Sequence, residues 1–347
     1  MQPELIINNQ LIRPGCNLVI DLPLPSLYTH TPMTMPVHVI NGRKPGPRLF
    51  VSAAIHGDEL NGIEIVRRLL KQSALKRLHG TLIAIPMVNV YGVIHHSRYL
   101  PDRRDLNRSF PGSAKGSLAA RLADLFMHEI VAQCSHGIDL HTGAIHRSNL
   151  PQIRANLDHE ETLALAEAFN VPVLINSHLR DGSLRESAAE QGIQMLLYEA
   201  GEALRFDEIC IRAGLQGILA VMRHLGMVAS KKRVRKKRKE PYISQSSNWI
   251  RAPASGIFRT IKPLGSHVAR KEVLGIISDP ISNVEVEVIS PHTGLVIGRS
   301  EIPLVYEGEA LYHLAKFEDH EGVAEQVESF QDAIIPTDEL SDELIIT

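Results

Sequence analysis

Two short stretches of this 347-residue chain carry the residue types that hold a metal ion. His56 and Glu59 stand three apart in HGDE, where an apolar run gives way to a helical pattern. That spacing places both on one face of a helical turn, within reach of a single ion. Imidazole nitrogen and carboxylate oxygen are both good zinc ligands. The second stretch, Asp139-Leu140-His141-Thr142-Gly143, ends another apolar run. With His141 added, three protein ligands leave the fourth position open for water, the mark of a catalytic rather than a structural zinc site. Asp139 should point the same way as His141 and accept the second N–H of its ring. Taken singly, HGDE also reads as polar residues at a helix start, and Asp139 as a capped strand end.

Two further segments supply what a hydrolytic centre needs. Residues 98–112, RYLPDRRDLNRSFPG, are rich in Pro, Gly and charge and read as a loop. Its guanidinium groups can bind carboxylates bidentately or stabilise an oxyanion, although clustered arginines on a loop can also be plain solvated surface. Tyr198-Glu199-Ala200-Gly201-Glu202 follows an apolar run. A carboxylate beside a metal site is the usual general base, moving a proton from water to the leaving nitrogen. Glu199 is preferred because it immediately follows the buried run; Glu202 is the alternative, and either residue could instead cap a helix.

These residues must be positioned by regular elements. From about residue 34 to residue 226, short apolar runs at 49–55, 81–88, 137–140, 171–175 and 193–198 alternate with helical patterns at 60–70, 117–131 and 206–225. Such alternation predicts an α/β fold, a mostly parallel or mixed sheet flanked by helices. In open α/β sheets the loops beyond the carboxyl ends of strands build the active site, and His56 and His141 both fall at such ends.

Residues 248–316 change character, with Gly and Pro punctuating short Val/Ile-rich runs, as in a smaller all-β, barrel-like domain. They contain an internal repeat: Pro253 to Gly256 with Val268 and Glu272 to Leu274 echoes Pro291 to Gly294 with Val305 and Glu309 to Leu311. The duplication resembles a biotinyl/lipoyl-type barrel with Asn283 where a carrier domain has its modified lysine, so the scaffold is expected without the swinging arm. The expected organisation is therefore a hydrolase α/β domain with an N-terminal β segment over 1–230, a basic linker over 231–247, the barrel over 248–316 and an acidic tail over 317–347.

Composition sets the outer limits. Hydrophobic residues make up 44 % and charged residues 22 %, ordinary for a globular chain with a substantial core. A formal charge of −2 argues against whole-chain electrostatic attraction to nucleic acid or membrane. The run KKRVRKKRK at 231–239 is the exception; it reads first as a solvated loop, and alternatively as the contact surface of a non-enzymatic binding protein. Three unpaired cysteines, no secretory signal and no apolar stretch long enough to span a membrane make cytoplasmic location the expectation. Oligomeric state is not specified, and a homo-oligomer is compatible with the chain.

HGDE at 56–59, DLNRSFPG at 105–112, DLHTG at 139–143 and YEAGE at 198–202 occur in the order seen in the succinylglutamate desuccinylase/aspartoacylase family, which belongs with the zinc carboxypeptidases. The chain resembles that family over about residues 34–226, and its barrel-like region resembles the C-terminal domain of such proteins. The resemblance implies a zinc carboxypeptidase-like fold and one Zn²⁺ per subunit, held by His56, Glu59 and His141. It makes Glu199 the catalytic carboxylate and Asn107 and Arg108 the anchors for a substrate carboxylate. Arg98 resembles the arginine that polarises the scissile carbonyl, with Arg103 and Arg104 as substitutes; Arg147 and Arg154 offer a further carboxylate contact. The implied activity is zinc-dependent cleavage of the amide of a small N-acyl amino acid. Peptide trimming by a carboxypeptidase, or ester cleavage at the same centre, fits the same motifs.

Overall fold

The computed structural model describes residues 1–177, 179–229, 241–317 and 322–334. Its spine is a mixed sheet built from the apolar runs. Strands β1 (Lys44–Ala53), β2 (His79–Ile85) and β3 (His136–Gly143) are parallel, with β1 between the other two. Next in chain order come β4 (Arg147–Ala155), β5 (Gln194–Glu202) and β6 (Gly294–Ser300). Strand β5 lies parallel to the free side of β3, β4 runs antiparallel beside β5, and β6 antiparallel beside β4. Beyond β2 the sheet is closed by Thr34–Asn41 and then Asn17–Pro23, both antiparallel to their neighbours.

The central strands are continuous apolar runs because both faces are covered. Alternate residues of β1 go to opposite sides: Leu49 and Val51 pack with Ile65, Val66 and Leu69 of helix α1 (Asn61–Leu70), while Phe50 joins Leu122 and Phe126 of helix α2 (Leu118–Glu129). Phe50 and Phe126 meet edge to face, 6.0 Å between centroids. Burying side chains of this size contributes about 2 kcal/mol each. Helix α2 starts where Ser117 Oγ accepts the Ala120 N–H, and α3 (Glu208–His224) where Asp207 accepts that of Cys210.

One expectation about local structure is corrected. His56 and Glu59 are not on a helix: α1 begins at Asn61, and the two residues lie in a turn closed by the Glu59 N–H donating to the His56 carbonyl at 3.2 Å. A single turn brings residues three apart together as well as a helix does, so the convergence survives the change of element.

The segment 248–316 contains a four-stranded antiparallel sheet in the order Glu285–Ile289, Val273–Ser278, Gly256–Thr260, Leu304–Val305. The internal repeat is visible in it. Each half runs long strand, two-residue strand, long strand: Gly256–Thr260, His267–Val268 and Val273–Ser278, then β6, Leu304–Val305 and Ala310–Lys316. Asn283 sits in the turn of the hairpin Val273–Ser278/Glu285–Ile289. The segment has its own apolar cluster around Phe258, Leu274, Leu311 and Tyr312, yet its strands β6, Ala310–Lys316 and Ser246–Arg251 continue the central sheet through the β4–β6 ladder.

The basic run 231–239 lies outside the described residues. Within the expected linker, Tyr242–Ser244 is a strand paired in parallel with Val173–Asn176. Of the acidic tail, 322–334 carry the helix Val323–Ile334, whose Val327, Phe330 and Ile334 recur at helical spacing and pack on the core; residues 318–321 and 335–347 are outside the described residues.

Candidate active site

The sheet delivers its chemistry at the carboxyl ends of β1, β3 and β5. Strand β1 ends at Ala53, and Ala54, with a φ of 53°, turns the chain sharply out of the sheet. His56 follows in a loop pressed against the helix Val90–Ile94: a Cβ on Gly57 would stand 2.0 Å from the Gly92 carbonyl carbon, so only glycine permits this approach. Next to β1, strand β3 presents His141 at its own end, and β5 sets Glu199 in register with His141.

His56, Glu59 and His141 meet, with one potential ligand atom from each within 4.8 Å of the others. Their residues are 3 %, 1 % and 6 % exposed, so the three side chains are almost wholly buried. The Glu59 carboxylate stands between the rings, Oε1 at 2.7 Å from His56 Nδ1 and Oε2 at 2.8 Å from His141 Nδ1. Each ring turns its other nitrogen to a further carboxylate: His56 Nε2 lies 3.1 Å from Asp105 Oδ1, and His141 Nε2 lies 2.6 Å from Asp139 Oδ2. Asp139 is itself fixed by the Ser52 hydroxyl, which donates at 2.7 Å. Nδ1 is the inward atom of each ring, and with a cation held there Nε2 would carry the proton donated to Asp105 and Asp139.

This donor set fits a divalent cation. Two inward imidazole nitrogens and a carboxylate repel one another unless positive charge stands among them, as ring protons or as a metal ion. The electrostatics express the same demand. Burial opposes charge on both rings, yet Glu59 and Asp105 raise His56, and Asp139 and Glu59 raise His141 well above an ordinary imidazole. Burial likewise raises Glu59, but the two rings outweigh it and hold its carboxyl far below the usual carboxylate range.

The cluster opens into a cavity of about 910 Å³ whose wall includes Arg98, Asn107, Arg108, Arg147 and Glu199, so every residue expected to act on substrate lines one space. Arg98 grips Glu59 Oε1 at 3.2 Å and Asp105 Oδ2 at 3.1 and 3.3 Å, leaving two of its five N–H groups for the cavity. Arg103 and Arg104, the alternatives to it, are exposed and not part of this wall, and neither is Glu202, the alternative to Glu199. The Asn107 side-chain carbonyl accepts the Leu184 N–H at 2.9 Å, which aims its NH₂ group away as a donor. Glu199 Oε2 accepts from the Asn149 amide at 2.6 Å, and Oε1 lies 3.4 Å from Arg154 Nε.

Several contributors were not foreseen. Asp105 heads the DLNRSFPG stretch but shows its role only when His56 is placed against it. Arg185 is buried in the wall; burial and the neighbouring Arg154 pull its guanidinium down to about 10. The C-terminal segment supplies Trp249 and His313, stacked at 4.6 Å with ring planes 9° apart, and the Arg147 guanidinium lies 4.9 Å from the Trp249 ring centre. Burial, with Arg154 and Arg147 nearby, drives His313 down to about 3, so it is a neutral ring in this wall.

Comparison with known proteins agrees with this architecture. Residues 45–225 match the model of the succinylglutamate desuccinylase/aspartoacylase catalytic domain. An N-alpha-acetyl-L-2,4-diaminobutyric acid deacetylase of Halomonas elongata is 28 % identical over 257 residues, covering 71 % of this chain and 74 % of that protein. Among solved structures, the product-bound ectoine utilization protein EutE (DoeB) of Ruegeria pomeroyi superposes with a TM-score of 0.79 at 23 % identity, over 91 % of this chain and 99 % of that one. A succinylglutamate desuccinylase/aspartoacylase of Rhodobacter sphaeroides gives 0.78, also at 23 % identity, over 88 % and 97 %.

Proposed function

The chain belongs to the succinylglutamate desuccinylase/aspartoacylase family, and from that premise we propose that it is a zinc-dependent hydrolase cleaving the amide bond of a small, carboxylate-bearing N-acyl amino acid. The observation that carries the reading is the convergence of His56, Glu59 and His141 on one point at the floor of a cavity walled by Glu199 and arginines. The deacetylase activity named for the Halomonas elongata relative supports the reaction class.

Zinc, held by those three side chains, would supply a Lewis acid for the scissile carbonyl and for water. The remaining work falls to the chain's own groups. Glu199 takes a proton from the attacking water and returns it to the leaving nitrogen, so water and amide become a carboxylate and an amine. Arg98 directs its remaining N–H groups toward the developing oxyanion, a contribution of about 3 kcal/mol for one such donor. Asn107 and Arg108 hold the substrate carboxylate, turning binding energy into alignment. Asp105 and Asp139 keep the rings in the tautomer that faces a metal.

Cytoplasmic location belongs to the same proposal, resting on free Cys16, Cys134 and Cys210. Among the described residues no helix is long and apolar enough to cross a membrane. The cavity volume, near the upper end for small-molecule sites, keeps peptide trimming as a second reading.

The purified protein assayed against a panel of N-acetyl and N-succinyl amino acids and short peptides, with metal analysis, tests the proposal. Release of free amino acid that stops on chelation and returns with zinc is expected; a metal-free protein inert on every amide would end it, and turnover of peptides alone would select the second reading. Arg108→Ala should lower kcat/KM for carboxylate-bearing substrates about 30-fold, as for loss of a hydrogen bond of about 2 kcal/mol to a charged group. An equal loss with a neutral amide would remove Arg108 as the anchor.

A further inference from the structure

Glu199 is oriented by residues of other strands. Asn149 of β4 donates to its Oε2 at 2.6 Å, and Asn149 is only 6 % exposed. The β4–β5 ladder shifts register between Glu199 and Gly201, next to this contact, and both Asn149 and Arg154 of β4 line the cavity. On its far side Asn149 is the ladder partner of Gly298 in β6, a strand of the C-terminal segment. A Cβ at position 298 would stand 2.7 Å from Asn149 Oδ1 and 3.2 Å from the His313 Cβ. The backbone at 298 lies outside the left-handed region, so a Cβ there would meet crowding and not backbone strain. The atom that must yield to a larger residue is the flexible end of Asn149.

We propose that the C-terminal β segment positions the catalytic carboxylate: Gly298 leaves the space that the Asn149 amide occupies, and Asn149 holds Glu199 toward the His56, Glu59 and His141 cluster. The inference rests on Glu199 being the general base, as proposed above. It makes β6 part of the catalytic apparatus, because the strand that joins the two compositional halves also sets the geometry of the base. Asn149 and Gly298 are positioning residues, since they act through Glu199.

A double-mutant cycle in the full-length protein tests this. Asn149→Ala should lower kcat about 10- to 100-fold, as for loss of one charge-assisted hydrogen bond, with KM changed less than about threefold. Metal content should stay at the wild-type level. Gly298→Ala should lower kcat in the same sense by crowding the Asn149 amide, and the double variant should be no slower than Asn149→Ala alone, because the amide that the new Cβ would displace is already gone. Asn149→Ser, which keeps a short donor, should recover part of the loss, and it serves in place of the alanine variant if that one fails to fold. Multiplied effects in the double variant, or a wild-type kcat in Asn149→Ala, would overturn the relay. If those results come with an inactive Glu199→Gln, Glu199 keeps its role and only the relay falls; a fully active Glu199→Gln removes the base assignment and the relay with it.

Discussion

Glu199→Gln is expected to leave the protein folded and metallated while removing about three to four orders of magnitude of turnover, the upper range for a positioned general base. The substitution keeps the shape of the side chain and an oxygen that can still accept from Asn149, so the cavity wall should hold. It takes away the ability to accept and return a proton, and it removes the charge facing Arg154 at 3.4 Å. Residue 199 is not part of the His56, Glu59 and His141 cluster that could hold the metal, so zinc content should match wild type. Single-turnover and steady-state rates on the best substrate of the panel, beside metal analysis of the same sample, give the answer. Activity within a factor of a few of wild type would mean that the proton moves through another group.

The second large effect is expected at His141. Its ring meets Glu59 at 2.8 Å on one side and Asp139 at 2.6 Å on the other, with Asp139 fully buried. His141→Ala removes a proposed ligand and strips both carboxylates of a partner, leaving Asp139 with the Ser52 hydroxyl as the other hydrogen bond described for its side chain. Loss of stoichiometric zinc and of measurable hydrolysis is expected, together with about 3–5 kcal/mol of stability, the usual cost of breaking a buried charged pair from one side. Asp139→Asn should give a graded version, with metal affinity lowered about 10- to 100-fold because only the orientation of the ring is affected. Denaturant unfolding of apo and zinc-loaded samples separates the two contributions: zinc should stabilise the wild type and leave His141→Ala unchanged. A His141→Ala protein that keeps a full complement of tightly bound metal would take His141 out of the ligand set.

The local part of the site was legible in the sequence for a simple reason. His56, Glu59 and His141 lie within a few residues of strand ends, and buried parallel strands announce themselves as apolar runs whose ends can be placed. The same signal singles out Glu199, which the structure places in the cavity wall. The helix expected over 60–70 forms at Asn61–Leu70, and HGDE is a separate turn before it; a spacing of three converges in either geometry.

Strand β4 shows where such signals stop. It carries Pro151, and its polar residues Asn149 and Arg154 face the cavity. A strand whose inner positions serve a polar site loses the apolar pattern by which strands are recognised. The expected strands therefore leave out residues 147–155, and Arg147 and Arg154 enter only as a further carboxylate contact implied by the resemblance.

Sequence by itself determined which side chains can bind a metal, which carboxylate follows a buried run, and that an α/β unit is succeeded by a duplicated β segment. Each of these depends on neighbours a few residues apart. Tertiary structure alone decided that Asp105 backs His56, that Trp249 and His313 line the cavity, and that Gly298 meets Asn149 across 149 positions of chain. Those contacts join groups far apart in the chain through strand order and register, which are set by the packing of the whole sheet and leave no mark in the local sequence.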